Sequence, residues 1–247
     1  KLDVSDVSVI PISALKGDNI VNRSTHMPWF GGSTLLYYLE NVHIGSDHNL
    51  IDVRLPVQLV VRPNTDEFHD YRGYAGRMAG GVLRKGDEVM LMPSGFSTTI
   101  KKIDTFDGEI EEAYPPMSVT VLLNDDLDLD RGDMIVRPNN SPEPRQDLEL
   151  MICWFDDQPM RLRGKYHMLH TTNEARCIVK ELRYKMDVNT LHRDTEDQVV
   201  GMNDIARIVV RTTRPILADP YNRNRITGSV ILIDEATNNT VAAGMIL

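Results

Sequence analysis

The run Asp52-Val53-Arg54-Leu55-Pro56-Val57-Gln58-Leu59-Val60-Val61 decides how most of this chain is read. Val53, Leu55, Val57, Leu59 and Val61 fall two apart, so an extended backbone puts them on one face. From here on the signals are those of strands. Short apolar runs recur between Gly80-Gly81, Lys85-Gly86-Asp87, Pro93-Ser94-Gly95, Asp107-Gly108, Pro115-Pro116 and Arg131-Gly132-Asp133. Turn signals this closely spaced favour a closed β-barrel over alternating strands and helices. Arg137 to Arg145, with Pro138, Pro142 and Pro144, reads as a stiff linker. Beyond it, strands are expected at Leu148–Phe155, Tyr166–Thr171, Ala175–Lys185, Ala206–Thr213, Ser229–Asp234 and Val241–Ile246. A turn at Asn238-Asn239 precedes the last of these.

Upstream of the run the pattern differs. Val7 to Pro11 reads as a short buried strand, and Gly17-Asp18-Asn19 as a loop. After Gly31-Gly32, Ser33 is placed to cap a helix whose apolar stripe is Leu35, Leu36, Leu39 and Val42, ending near His43. The expected fold is therefore mainly β, with two consecutive barrels, at 49–140 and 141–247, preceded by an α/β remnant at 1–48. A strand, a loop and a helix are too little for a domain, and the chain starts at Lys1 rather than Met. Residues 1–48 are read as the tail of a larger one.

A composition of 41% hydrophobic and 26% charged residues fits a folded globular protein. The net charge of −9 disfavours nonspecific binding to nucleic acid. Two cysteines, Cys153 and Cys177, are too few for a disulfide framework, and no apolar run reaches the roughly 18–20 residues that span a bilayer. A cytoplasmic protein without a membrane partner is expected.

No GxxxxGK[ST] loop is present, so nucleotide chemistry by this chain alone is not expected. Gly76 and Gly80-Gly81 lie between strands and read as turn glycines. Arg131-Gly132-Asp133 repeats the basic-Gly-Asp pattern of Lys85-Gly86-Asp87 and Lys16-Gly17-Asp18, and reads as a turn rather than an adhesion signal. Asp126, Asp128 and Asp130 start like a calcium loop, but Arg131 and Arg137 replace its Gly and its bidentate Glu. A solvated acidic strand edge accounts for them better. His167 and His170, three apart in a strand, point to opposite faces, which separates them as zinc ligands. No nucleophile–base pair emerges. Arg214, Arg223 and Arg225 around Asp219-Pro220-Tyr221 form one basic patch, readable as an anion or acidic-partner site or as a charged loop.

Ser13-Ala14-Leu15-Lys16-Gly17, then Asp18-Asn19, Met27-Pro28-Trp29-Phe30 and Thr34-Leu35-Leu36, resemble the end of the GTPase domain in elongation-factor-type proteins. Arg72-Gly73-Tyr74-Ala75-Gly76, KGDEVMLMPSG from Lys85, IDTFDGEIEEA from Ile103 and LDRGDMIV from Leu129 are similar to domain two of one branch, the GTPase subunit of sulfate adenylyltransferase. YKMDVNTL from Tyr184, YNRNRITG from Tyr221 and NNTVAAGMIL from Asn238 are similar to its third domain. Pro116 stands where the family usually has Gly, which leaves the shape of that turn open.

The resemblance implies the large subunit of a heterodimer that makes adenosine 5′-phosphosulfate and pyrophosphate from ATP and sulfate, driven by GTP hydrolysis. The small subunit carries out adenylyl transfer. It implies GTP and magnesium in the full-length parent, and none bound tightly to this stretch. Ser13, Ala14 and Leu15 map onto the last nucleotide motif, with the Ala14 N–H toward the guanine O6 and Lys16 on the rim of the base. Some relatives are fused to an adenylylsulfate kinase. The competing readings are an elongation factor holding aminoacyl-tRNA and a plain barrel interaction module.

Overall fold

The computed structural model describes residues 8–42, 49–63 and 71–247. They form two units, one ending at residue 42 and one beginning at residue 49.

In the first unit the loop dominates. Ser13 and Asp18 close it as an isolated bridge, with the Gly17 N–H donating to Ser13 O (2.8 Å) and Gly17 at φ 74. The expected strand does not form. Val7 lies outside the described residues, Ser8 to Ile12 are irregular, and Val9 is 81% exposed, because no strand among the described residues pairs with them. Helix α1 spans Leu35–Asn41 and is capped by Thr34, one residue after the expected Ser33, its hydroxyl accepting from the Tyr37 N–H. The apolar stripe is present but uncovered within the unit: Leu36, Leu39 and Val42 are all exposed. Asn19 is the one buried residue of 8–42.

The second unit holds two barrels. The first is built from β1 (Arg54–Val61), β2 (Gly73–Arg77), β3 (Leu83–Arg84), β4 (Glu88–Met92), β5 (Phe96–Thr105), β6 (Gly108–Ile110), β7 (Glu112–Ala113), β8 (Ser118–Leu123) and β9 (Met134–Val136). The antiparallel order β4-β9-β1-β2-β8-β5 closes through β5 on β4, with β6 as a hairpin extension and β3–β7 a separate pair. Leu55, Val57, Leu91, Ile103, Val121 and Ile135 are fully buried inside it. Closure pairs every backbone edge that an open sheet would leave exposed.

The second barrel consists of β10 (Pro144–Trp154), β11 (Lys165–His170), β12 (Asn173–Met186), β13 (Arg193–Asp194), β14 (Ile205–Leu217), β15 (Ser229–Asp234) and β16 (Thr240–Ile246). It closes in the order β11-β15-β16-β10-β14-β12, with β12 returning to β11 and β13 appended to β12. Trp154 anchors its core, edge-on to Tyr166 at 5.8 Å, and its indole N–H donates to Gln158 O (2.8 Å). A buried indole with its donor satisfied retains the whole benefit of its apolar area.

Three sequence expectations change. The alternation that opens β1 breaks at a bulge between Val57 and Leu59, so Leu59 faces out at 59% exposure and Val60 packs on the core instead. One extra residue reverses the facing of everything after it. The expected acidic edge at Asp126 to Asp130 is not a strand but the connection from β8 to β9, and Asp126 and Asp128 both pair with Arg72. The expected linker is partly structure: β10 already begins at Pro144, and Pro142 is buried. The Pro115–Pro116 bond is cis, and the Met117 N–H donates to Tyr114 O (2.9 Å), a type VI geometry.

Candidate functional site

The loop predicted from sequence is held from behind. Asn19, 2% exposed and at φ 56, donates from Nδ2 to Pro11 O (2.9 Å) and accepts from the Ser24 N–H (2.9 Å). Asp18 accepts from the Ser24 hydroxyl (2.7 Å) and faces His26 Nδ1 (3.2 Å). The Ser24 bond first, then the His26 bond, hold its carboxyl below the usual range. The carbonyls of Asn19 and Ile20 accept from the first N–H groups of α1, those of Leu35 and Leu36 (2.9 Å each), so loop and helix are one assembly. In front of this support, Ala14, Leu15 and Lys16 are exposed, Leu15 at 95%. The Ser13 hydroxyl accepts from the Lys16 N–H (3.4 Å). The N–H groups of Ala14 and Leu15 make no hydrogen bond among the described residues. The four predicted residues thus lie on one loop, and the backbone N–H groups of two of them are without a hydrogen bond among the described residues.

The second constellation was only half visible in sequence. Arg54 sits on the outer face of β1, where an arginine belongs in water, yet is 1% exposed. Its Nε and Nη2 donate to Asp219 Oδ2 and Oδ1 at 2.8 and 2.9 Å, and its Nη1 donates to Asn140 O (2.6 Å) and Val53 O (2.9 Å). Asp219, from the second barrel, also accepts from the Thr227 hydroxyl (2.7 Å). A second fork lies beside it: Arg223 donates to both oxygens of Asp52 at 2.6 and 2.7 Å. Arg223, aided by the Asn49 amide, holds the Asp52 carboxyl well below the usual carboxylate range against the opposing effect of burial. Asn224 Nδ2 donates to Ala79 O (2.9 Å). Met92, Met134, Val136 and Leu217 form an apolar cluster of their own, drawn from both barrels.

This clasp explains several residues that sequence left open. Gly80 is glycine because a Cβ there would lie 2.5 Å from Asp52 O and 2.8 Å from Asn224 Nδ2. The basic patch is mostly structural: Arg223 is committed to Asp52, and Arg214 donates to Glu174 O. Gly132, at φ 99, completes a turn in which the Asp130 N–H donates to Asp133 Oδ2 (2.8 Å). Its carbonyl accepts from Asn173 Nδ2 of the second barrel (3.4 Å). His167 faces outward to Glu174 (2.8 Å), whereas His170 is buried with Nε2 2.6 Å from Thr227 O and is pushed below its ordinary pKa by burial. Among the described residues no group of His, Cys, Asp and Glu is arranged to hold a metal ion. No helix among them is long and apolar enough to cross a membrane.

Comparison with known proteins shows what the chain is similar to. Residues 147–247 match the family described as GTP-eEF1A C-terminal domain-like. The bifunctional enzyme CysN/CysC of Mycobacterium tuberculosis (strain ATCC 25618 / H37Rv) is 50% identical over 248 residues, covering 100% of this chain and 40% of that protein. Sulfate adenylyltransferase subunit 1 of Bacteroides fragilis (strain YCH46) is 46% identical over 246 residues, covering 100% of this chain and 51% of that protein. The chain therefore spans about half the length of the relatives it matches, or less. Among solved structures, Sup35 complexed with GDP superposes at TM-score 0.72 with 20% identity, over 98% of this chain and 59% of that one. That likeness establishes the shared fold.

Proposed function

We propose that this chain, a homologue of sulfate adenylyltransferase subunit 1 along its whole length, is the C-terminal part of the GTP-hydrolysing regulatory subunit of that enzyme. The observation that carries the reading is identity of 41–50% to proteins of that name, or to CysN/CysC, across 100% of the chain. The parent takes part in the conversion of ATP and sulfate to adenosine 5′-phosphosulfate and pyrophosphate, with GTP hydrolysis as the driving reaction. Adenylyl transfer belongs to a separate small subunit.

Within this reading, Ser13 to Lys16 form the base-facing edge of the nucleotide site. The free Ala14 N–H supports a contact to the guanine O6, the adjacent Leu15 N–H reinforces it, and Lys16 flanks the ring. GTP and its magnesium belong to the parent protein, and this chain's share is recognition of the base. The barrels relay the state of the nucleotide: when γ-phosphate contacts order a switch segment, a body packed against it moves as a unit only if it is stiff. The two Arg–Asp forks between the barrels support that stiffness.

The test is GTP-dependent ATP–sulfate exchange by the full-length parent together with its small subunit. Stimulation by GTP is expected. Binding of aminoacyl-tRNA with no such exchange would overturn the reading.

A further inference from the structure

The one residue that is buried within 8–42 is polar. Asn19 is 2% exposed, while Trp29 is 72% and Leu39 62% exposed. Within this unit, then, the Ser13 to Lys16 loop is fixed by the hydrogen bonds of an amide and not by apolar packing. Burying an amide is costly unless its donors and its acceptor are met, so the place of Asn19 is set by its partners. Those partners lie on both sides of the loop. Nδ2 donates to Pro11 O (2.9 Å), on the chain that enters it, and to Met27 Sδ (3.4 Å). Oδ1 accepts from the Ser24 N–H (2.9 Å), on the chain that leaves it, and the Asn19 carbonyl accepts from the Leu35 N–H (2.9 Å) at the start of α1. One side chain thereby joins the two ends of the loop, and its backbone joins them to the helix.

The backbone of Asn19 is left-handed, at φ 56, which asparagine tolerates better than most residues with a side chain. Glycine takes that φ more readily still, so the backbone alone does not call for asparagine; the amide does. Inside the loop the Ser13 N–H donates to Asp18 O (3.2 Å), the Gly17 N–H to Ser13 O (2.8 Å) and the Lys16 N–H to the Ser13 hydroxyl (3.4 Å). The N–H groups left over, those of Ala14 and Leu15, are neighbours on the exposed side. In so short a loop their direction follows from how its ends are held. Asn19 holds both ends.

We infer that Asn19 is a positioning residue for guanine recognition: from behind the loop its amide sets the direction of the Ala14 and Leu15 N–H groups, and with it the selectivity for a 6-oxo purine, without touching the base. The inference rests on the proposed function for the identity of the loop as the base-facing edge. A hydrogen bond weakens steeply as its donor turns away from the acceptor, whereas contacts to the phosphates are made elsewhere in the parent. Loss of the amide therefore acts on discrimination between bases more than on nucleotide binding as such.

The experiment measures binding of GTP and of 6-thio-GTP to the full-length parent by displacement of a fluorescent nucleotide. 6-Thio-GTP keeps the N1–H and the 2-amino group and replaces the O6 acceptor with a larger sulfur that accepts weakly. The wild type should prefer GTP. Asn19→Gly keeps the left-handed backbone and removes the amide, and the ratio of the two affinities should fall at least about threefold. Arg23→Ala, which removes an exposed bond to Gly31 O (3.1 Å) in the same unit, is the control and should leave the ratio unchanged. A wild-type ratio in Asn19→Gly, whether or not both nucleotides bind more weakly, overturns the inference and leaves the proposed function standing; so does an equal fall in the control. A wild type that binds both nucleotides alike, or neither, overturns the reading of Ser13 to Lys16 as the base-facing edge and the inference with it. Should Asn19→Gly not fold, Asn19→Asp takes its place under the same outcomes, since it keeps an acceptor for the Ser24 N–H and sets a carboxylate oxygen against Pro11 O.

Discussion

Replacing Arg54 with Met tests whether the clasp holds the barrels together. The substitution keeps a comparable apolar stem and removes the guanidinium. Asp219, 3% exposed, then keeps the Thr227 hydroxyl as a donor but loses both charge-assisted bonds of the fork, and Asn140 O and Val53 O each lose one. Removing one member of a buried ion pair strands the other charge and costs about 3–5 kcal/mol. Urea denaturation followed by circular dichroism reads that loss as a lower midpoint at unchanged slope. The companion Arg54→Met/Asp219→Leu strands no charge, so it should recover at least about 2 kcal/mol of the loss, a coupling that a double-mutant cycle reports. A single variant costing less than about 1 kcal/mol, in the range of an exposed pair, would refute the argument that burial makes this fork indispensable.

Three further outcomes follow from other parts of the molecule. Because Arg223 lowers the folded-state pKa of Asp52, the folded protein binds that proton more weakly than the unfolded chain does. The contribution of the pair is therefore full above about pH 4 and is lost as pH falls further, so Arg223→Gln should flatten the acid limb of stability measured by urea midpoints below about pH 4. Gly76→Ala would place a Cβ 2.3 Å from Pro56 O across the β1–β2 pairing, and calorimetry should register a loss of about 1–3 kcal/mol. Burial pushes the Cys177 thiol up to about 12, while Cys153 is only half-buried, so a disulfide reagent at about pH 8 should titrate one of the two thiols in the native chain and both in urea.

What could be read in the sequence is what depends on local chemistry. The strand Ser229–Asp234 was placed to the residue, and the edges of β11, β12 and β16 to within two, because period-two burial and turn residues are written locally. The divergence of His167 and His170 followed from strand parity alone. The turn at Arg131-Gly132-Asp133 followed from the need for a residue that tolerates positive φ. Ser13 to Lys16 could be singled out only because their order, with the stretches after them, resembles a known motif; nothing in their hydropathy marks them.

Tertiary structure decided the rest, and in each case because the deciding partner is far away in the chain. Val9 was expected in a strand, but strand propensity is realised only when a neighbour pairs with it. The bulge after Val57 cannot be read from a run in which Leu59, Val60 and Val61 are equally apolar. Arg54 alternates with the inward residues of β1, and Asp219 sits in a charged turn, so neither is marked in sequence as the other's partner. The fold brings these residues, 165 positions apart, into a bidentate bond at 2.8 and 2.9 Å. Sequence by itself determined that the chain forms β-barrels, since propensity, parity and turn chemistry act within a few residues. Only the tertiary structure decided that Arg223 of the basic patch belongs to a clasp between the barrels, because a charge takes its role from the group the fold sets beside it.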